Sequence, residues 1–232
     1  MFTIRKGTER GVTHIDWLDS RHTFSFGDYN DPKHHQYRTL RVINDDRIAP
    51  GGGFGTHPHR DMEILTYVLS GQLEHRDSMG NGEVIRAGEW QAMHAGTGIQ
   101  HSEFNPSETE AVHLLQIWLF PDRRGHVPGY QQKRFPEAGR EGKWQLAASK
   151  DGTEGSLLVH QDVKLSVAKL EPGQSMKYEL VPNRRAFLHV ATGSVLVNGH
   201  TLVAGDAIAA DDETLLEVTG IEAGEVLLFD LA

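Results

Sequence analysis

The chain has 232 residues, 38% of them hydrophobic and 24% charged, which is enough for one large or two small domains and excludes a disordered protein. Its 23 Lys and Arg against 32 Asp and Glu give a formal net charge of −9, which argues against direct binding to nucleic acid. The absence of cysteine excludes disulfides, thiol nucleophiles and zinc–thiolate sites, so any metal must be held by nitrogen and oxygen.

Short apolar or alternating segments, separated by turns that contain glycine, follow one another along the chain. Such segments predict the strands of an all-β sandwich or barrel. Asn198-Gly199 between two of them favours a type I′ hairpin turn. In chain order the segments are "EILTYVLSG" (63–71), "QLEHRDSMGNGEVIRAGEW" (72–90), "AVHLLQIWLF" (111–120), "KLSVAKLEPG" (164–173), "AFLHVATGSVLVNGHTLVAGDAIAA" (186–210) and "EVLLFDLA" (225–232).

The two halves of the chain resemble each other weakly. "YVLSG…IRAGEW" in the first half parallels "HVATG…LVAGDA" in the second, each with a strand that ends at glycine, a hairpin, and Ala-Gly-acid before the next strand. The repeat indicates a duplicated β-barrel, with residues 121–155, rich in Gly, Pro and charge, as the connection. A short helix is expected there or in the second half.

Histidine is abundant, with 14 in all and 11 of them before residue 127. His57 and His59 are separated by one residue, a spacing that places both side chains on one face of a strand. Pro58 between them predicts that this strand lies at an edge, at a bulge or at an end. His101 and Glu103 repeat the spacing after a glycine-rich turn, "AGTGIQ".

Two neighbouring strands with these pairs would bring three imidazoles and one carboxylate together, a ligand set that suits a divalent first-row metal. A lone histidine, in contrast, is more often an ordinary hydrogen-bonded residue. We interpret the remaining histidines before residue 127 in that way: His14, His22, His34, His35, His75, His94, His113 and His126.

"GGGFGTHPHRDMEILTYVLSG" and "AGEWQAMHAGTGIQHSEFN" are similar to the two motifs of the cupin family. Cupins commonly have a Glu five residues after the second His, where this chain has Ile64; Glu63 has the wrong strand parity to replace it. With Glu103 as the carboxylate instead, the chain resembles the pirins. "WLDSRHTFSFGDYNDP", "LRVINDD" and "EHRDSMGN" are similar to segments of bacterial pirin-like proteins and extend the resemblance over most of the first 120 residues.

The resemblance implies a bicupin: two antiparallel β-barrel (jelly-roll) domains packed together, with few short helices. Residues 1–121 would form the metal-binding cupin domain, and 122–232, including the linker, a cupin-like domain. The positions in the second domain that correspond to the four ligands are Glu179, Val181, Val218 and Gly220. None is histidine, so we expect one metal site, held by His57, His59, His101 and Glu103.

The resemblance to pirins also implies a quercetin 2,3-dioxygenase-like oxidoreductase, which acts on a single donor and incorporates both atoms of O₂. A flavonol would be opened at its heterocyclic ring with release of carbon monoxide, and Glu103 would serve as general base. Phe54, Arg60 and Asn44 are candidates for the substrate pocket. The metal would be Fe first, with Mn, Ni, Co, Cu or Zn left open.

A second hypothesis is a metal- or redox-sensing regulator that binds a protein partner, as eukaryotic pirins are thought to do with transcription factors. A third is chemistry on another enol substrate. We expect a monomer, because two barrels could bury enough surface alone. A charged start, "MFTIRKGTER", and no long apolar run lead us to expect a cytoplasmic protein that does not bind membranes.

Overall fold

The computed structural model describes all 232 residues, which form two compact units. The N-terminal unit comprises Gly11–Phe135 and Leu157–Gln161. The C-terminal unit comprises Met1–Arg10, Pro136–Ser156 and Asp162–Ala232. Both units are built from strands, and the helices are three short 3₁₀ turns, Gly7–Glu9, Glu137–Gly139 and Thr153–Gly155. The all-β prediction with few short helices is therefore confirmed.

Twenty strands account for the fold, and the short segments between them are turns and loops. In chain order they are β1 (Phe2–Arg5), β2 (Gly11–Ile15), β3 (Leu18–His22), β4 (Leu40–Ile48), β5 (Gly53–His59), β6 (Glu63–Ser70), β7 (Gln72–Asp77), β8 (Gly82–Arg86), β9 (Glu89–His94), β10 (Ile99–Phe104), β11 (Val112–Leu119), β12 (Gly129–Arg134), β13 (Gln145–Ser149), β14 (Leu157–Leu158), β15 (Val163–Leu170), β16 (Ser175–Glu179), β17 (Arg185–Val197), β18 (His200–Val203), β19 (Ala207–Ala210) and β20 (Leu215–Leu231).

The N-terminal unit contains two antiparallel sheets. One has seven strands in the order β12-β9-β6-β11-β4-β3-β2, and the other has four in the order β5-β10-β7-β8. Leu73 and Ile85 of the smaller sheet pack against Val68 and Leu114 of the larger, and all four are at most 1% exposed. Burial of these apolar side chains holds the sheets together as a jelly-roll sandwich.

The C-terminal unit is centred on β17 and β20, which pair along most of their length. Its strands follow the order β1-β19-β17-β20-β15-β13, while β16 also pairs with β20 and β18 with β17. The interior is filled by apolar side chains, among them Leu188, Val190 and Val218. Val218, one of the positions that correspond to a ligand, is thus part of this apolar core.

Glycines at matching places in the two units make the same turn. Gly71 and Gly193 have φ angles of 75° and 70°, and their carbonyls accept hydrogen bonds from the N–H groups of Ala87 and Ala204. A Cβ atom at either glycine would meet a backbone carbonyl oxygen at 2.7 or 2.4 Å. Each unit therefore needs glycine where its strand turns into the hairpin, as the repeat in the sequence indicates.

Residues 121–155, which the sequence predicts to be a connection, contain two paired strands. β12 pairs with β9 over six residues, and β13 pairs with β15. At the other end of the chain, β1 pairs with β19. Because of these pairings, the bounds of the two compact units differ from the single domain boundary expected after residue 121. No helix of the structure is both long and apolar enough to cross a membrane.

Candidate metal centre

The two ligand pairs predicted from the sequence lie on neighbouring strands. β5 and β10 are antiparallel, with His57 directly opposite His101. β5 is an edge strand of the four-stranded sheet, which explains how Pro58 is tolerated. The register shifts between His101 and Glu103, so Glu103 stands opposite Phe54. The Glu103 carboxylate nevertheless has an oxygen within 4.8 Å of a nitrogen of His101.

Three imidazole rings converge at this edge of the sheet. The ring centroids of His57 and His101 are 4.4 Å apart, and His59 lies 4.8 Å from each of them. One nitrogen from each ring lies within 4.8 Å of the others. Trp118 packs edge-on against His59, with ring centroids 4.9 Å apart, and limits its movement.

Hydrogen bonds leave a lone pair free on two of these rings. His57 places Nδ1 2.8 Å from the carbonyl oxygen of Gly55, so Nδ1 carries the proton and Nε2 is left as a donor atom for a metal. His101 is 2% exposed, and its Nε2 has no hydrogen-bond partner. A buried nitrogen without a partner is unfavourable unless something binds it, and a metal ion fits this set of donors.

His75 supports His101 from behind. Its Nε2 lies 3.2 Å from a carboxylate oxygen of Asp77, and its Nδ1 lies 3.2 Å from the amide nitrogen of Gln91 and 3.4 Å from Nδ1 of His101. Because Nε2 of His75 donates its hydrogen to this carboxylate, Nδ1 carries the lone pair and is the acceptor that faces Gln91 and His101. The proton of His101 is thereby placed on Nδ1, which leaves its Nε2 free. His75, His101 and Glu103 also form a close group, and these bonds make His75 a support rather than a ligand.

Glu103 is 4% exposed and points into the unit, where both of its oxygens accept hydrogen bonds from Nε2 of Gln116, at 2.7 and 2.8 Å. Burial raises the pKa of Glu103 to about 7; the bond from Gln116 opposes this rise, and the charge of Asp46 adds to it. A carboxyl group that exchanges a proton near neutral pH is suited to acid–base chemistry.

Two of the imidazoles, those of His59 and His101, have lowered pKa values that favour the neutral form needed for metal ligation. Burial lowers the pKa of His59 to about 4, and the neighbouring His57 adds to this effect. Burial also lowers the pKa of His101 to about 2, with contributions from His57, His59 and His75.

A cavity of about 550 Å³ opens onto the three imidazoles and Glu103. Phe54 lines it and packs edge-on against Trp17, with ring centroids 4.9 Å apart. Asn44 also lines it and accepts a hydrogen bond from Nδ1 of His22 at 2.8 Å. Arg60 lies outside the lining and borders a different cavity of about 620 Å³.

A second cluster of ionisable residues in this unit is closed by its own hydrogen bonds. The carboxylate of Glu63 accepts from Nδ1 of His94 at 2.5 Å and from the backbone N–H and Nδ1 of His160 at 3.0 and 3.2 Å. Gln131 donates to Nε2 of His94 at 2.9 Å. Burial would raise the pKa of Glu63, but the bonds from His94 and His160 outweigh it and the pKa is lowered. This network ties residues 157–161 to β6 and β9.

Several residues around the centre were not identified from the sequence. His75 was interpreted as an ordinary histidine, whereas it contacts His101; Gln116 and Asp46 were not considered. For Gln116 the signal is a polar residue at an inward position of an otherwise apolar strand. In "AVHLLQIWLF" this residue is Gln116, and such an exception to the period of two is the feature to search for.

Comparison with known proteins identifies the relatives of this chain. Residues 5–119 match the family model "Pirin", and residues 146–231 match "Quercetinase C-terminal cupin domain". "Quercetin 2,3-dioxygenase" of Escherichia coli (strain K12) is 50% identical over 231 residues, which cover 100% of this chain and 99% of that protein. A "Pirin-like protein" of Caulobacter vibrioides is 41% identical over 217 residues, 93% of each chain.

A solved structure shows the same fold. The bacterial pirin YhhW of Escherichia coli in complex with nickel(II) has a TM-score of 0.95 and 48% identity, with 100% of this chain and 99% of that chain covered. Identity at this level over the full length, together with two family models in the order expected for a bicupin, establishes the family. This chain is a bicupin that belongs to the pirin family.

Proposed function

We propose that this chain is a metal-dependent dioxygenase that opens the heterocyclic ring of flavonols such as quercetin with O₂ and releases carbon monoxide. The observation that carries the proposal is the convergence of three imidazoles and a buried carboxyl group at one cavity. The full-length relatives named quercetin 2,3-dioxygenase support the same activity.

The metal ligands in this proposal are His57, His59, His101 and Glu103. His57 and His101 each offer a free Nε2, and the support from Asp77 through His75 makes His101 a better donor. A divalent metal bound here supplies Lewis acidity toward an enol oxygen and open positions for ligands. The nitrogen and oxygen donors admit several metals, with Fe first, and the nickel(II) complex of the related YhhW supports a divalent ion.

Glu103 acts as the base in this mechanism. A flavonol carries an acidic hydroxyl on its heterocycle, and the carboxylate takes this proton as the substrate enters. The bonds from Gln116 orient the carboxylate toward the substrate's proton. The flavonolate then reacts with O₂, and one ring carbon leaves as carbon monoxide.

The cavity supplies the shape and dryness that the reaction needs. Phe54, Trp17 and Trp118 provide aromatic surface against which flat rings can pack, and Ile64 adds an aliphatic wall. A volume of about 550 Å³ lies within the range of small-molecule sites. A substrate packed against these apolar side chains would displace water, which strengthens the interaction between the carboxylate and the substrate's proton.

The test is to add quercetin without oxygen to metal-loaded protein and then to admit O₂. We expect a red shift of the flavonol absorbance on binding, which reports loss of its proton, followed by one carbon monoxide released for each O₂ consumed. Glu103→Gln should lower the rate by at least about 100-fold, the usual contribution of a general base. Oxygen uptake without carbon monoxide would overturn the proposal, because it would indicate a different oxidation.

A further inference from the structure

A row of polar side chains crosses the inner face of the seven-stranded sheet. Inward positions of a jelly roll are usually apolar, yet here they are polar at five successive strands and in register with one another. The paired positions are Ser20 with Asp46, His22 with Asn44, Asn44 with Gln116, Gln116 with Thr66, and Thr66 with Gln91. All seven side chains are at most 8% exposed. We refer to them as the polar row.

One end of the polar row serves the metal centre. Gln91 contacts His75 at 3.2 Å, and Gln116 and Thr66 contact Glu103 at 2.7 and 3.5 Å. These hydrogen bonds explain the polar residues at the inward positions of β6, β9 and β11.

Three acceptor atoms of the polar row have no hydrogen-bond partner, and two of them, on Asp46 and Gln116, belong to residues that line the cavity, whereas Gln91 does not line it. One carboxyl oxygen of Asp46 has no hydrogen bond, although the hydroxyl of Ser20 binds the same carboxyl group. Oε1 of Gln116 is also unpartnered. When Glu103 is ionised, the atom that contacts both of its oxygens is the amide nitrogen of Gln116, which leaves Oε1 as the unpartnered atom. Asp46 and Gln116 both line the cavity.

Unpartnered buried acceptors are rare in folded proteins because they lose their bonds to water without replacement. Two such atoms at one cavity indicate a ligand that brings hydrogen-bond donors. Asp46 lies two residues along β4 from Asn44, and Asn44 pairs with Gln116. The rise along a strand and the spacing between strands therefore place the backbones of Asp46 and Gln116 roughly 8 Å from each other. This separation matches donors at different edges of a fused-ring aromatic molecule.

We propose that Asp46 and Gln116 form a subsite for peripheral ring hydroxyls, which selects polyhydroxylated aromatic substrates over the same ring system without those hydroxyls. This deepens the proposed function, on which it rests. The carboxyl groups of Asp46 and Glu103 both face the cavity, so ligands that carry a carboxylate, sulfate or phosphate group are disfavoured. Asp46 is a specificity-determining residue, while Glu103 takes the reacting proton.

The experiment compares two flavonols: quercetin, with peripheral hydroxyls, and 3-hydroxyflavone, which has only the reacting hydroxyl. Dissociation constants are measured without oxygen on metal-loaded protein, and kcat/KM is measured with oxygen. The variants are Asp46→Ala and Asp46→Asn. Asp45→Asn is the matched control, because Asp45 is the next residue of β4, is equally buried, and bonds to His113 at 2.7 Å on the opposite face.

We expect the wild-type protein to prefer quercetin, and Asp46→Ala to reduce that preference by roughly 10-fold or more while the binding of 3-hydroxyflavone changes little. Asp46→Asn retains an acceptor oxygen and should keep most of the preference, which separates the hydrogen bond from a folding defect. Asp45→Asn should leave the preference for quercetin over 3-hydroxyflavone unchanged.

The outcomes separate this subsite from the proposed function. If the protein turns over flavonols and Asp46→Ala does not change the preference for quercetin over 3-hydroxyflavone, the subsite is overturned and the dioxygenase stands. Anaerobic binding whose preference depends on Asp46, with no turnover, would support the subsite and overturn the dioxygenase. An equal loss for both flavonols would overturn the subsite, and failure of metal-loaded wild-type protein to bind either would overturn both.

Discussion

At the scale of single residues, the centre depends on which nitrogen of each ring carries a proton. The carbonyl of Gly55 decides this for His57, and the sequence of contacts from Asp77 through His75 decides it for His101. Neither support follows from the spacing of the ligands, because Asp77 and His75 lie on β7, a different strand from the residues that they orient. They became recognisable only once strand pairing placed β7 beside β10.

Replacement of His75 tests this support. We expect His75→Ala to weaken the binding of a divalent metal by about 10- to 100-fold, because His101 then loses the acceptor that fixes its proton on Nδ1. The measurement is calorimetric titration of metal into metal-free protein. His113→Ala, which also removes an imidazole–carboxylate contact but on the outer face, is the control. Equal affinities in the two variants would contradict a positioning role for His75.

The lowered pKa of His59 predicts how the metal-free protein responds to acid. The unfolded chain takes up a proton near pH 6.5, whereas the folded state resists it down to about pH 4. Protons therefore favour unfolding between these values: the free energy of unfolding is highest above pH 6.5 and falls as the pH drops toward 4. After allowance for solvent screening, the contribution of His59 is on the order of 2 kcal/mol. Urea unfolding at several pH values measures it.

His59→Gln provides the comparison for the acid response. The variant has no imidazole to protonate at this position, so its stability should fall less steeply over the same pH range. Parallel curves for the variant and the wild-type protein would contradict the account.

At the scale of elements, much of the fold could be predicted from local patterns. The strands β6, β7, β8, β11 and β15 follow the apolar and alternating segments, and Asn198-Gly199 has positive φ at both residues, as a type I′ turn requires. The pairings of β1, β12 and β13 could not, because each joins residues far apart in the chain and none of these strands is a distinctive apolar run. Strand identity is local, whereas strand partnership is decided by tertiary packing.

The duplicated turn makes a prediction about two glycines in one unit. Gly193 and Gly199 both have positive φ, but a Cβ at Gly193 would lie 2.4 Å from a carbonyl oxygen, whereas none of the surrounding atoms lies within 4 Å of one at Gly199. We expect Gly193→Ala to lower the free energy of unfolding by about 3 kcal/mol, and Gly199→Ala by about 1 kcal/mol. Chemical denaturation compares them, and similar losses would count against a steric requirement at Gly193.

At the scale of the whole molecule, the two units have different interiors. The N-terminal unit replaces part of its apolar core with histidines, carboxyl groups and amides, while the main core cluster of the C-terminal unit is apolar. The sequence predicts this contrast between the two interiors, because the C-terminal positions that correspond to the four ligands, such as Val218, are not histidine. That the C-terminal domain binds no metal stays a prediction.

This contrast predicts where metal changes the exchange of backbone amides. Hydrogen exchange of metal-free protein should slow on addition of a divalent metal in β5 and β10, which hold the four proposed ligands. Exchange in β17 and β20 should not change. Protection that appears first in the C-terminal unit would place the metal elsewhere and contradict the proposed ligands.

The most direct test of the central claim is oxygen uptake with quercetin, on protein loaded separately with Fe(II), Mn(II), Ni(II) and Cu(II). We predict uptake that requires metal and that is lost in both His59→Ala and Glu103→Ala, with the four metals ranked by rate. No uptake from protein shown to contain metal, whichever of the four is bound, would contradict the dioxygenase and favour the alternative of a metal-dependent regulator that binds a protein partner.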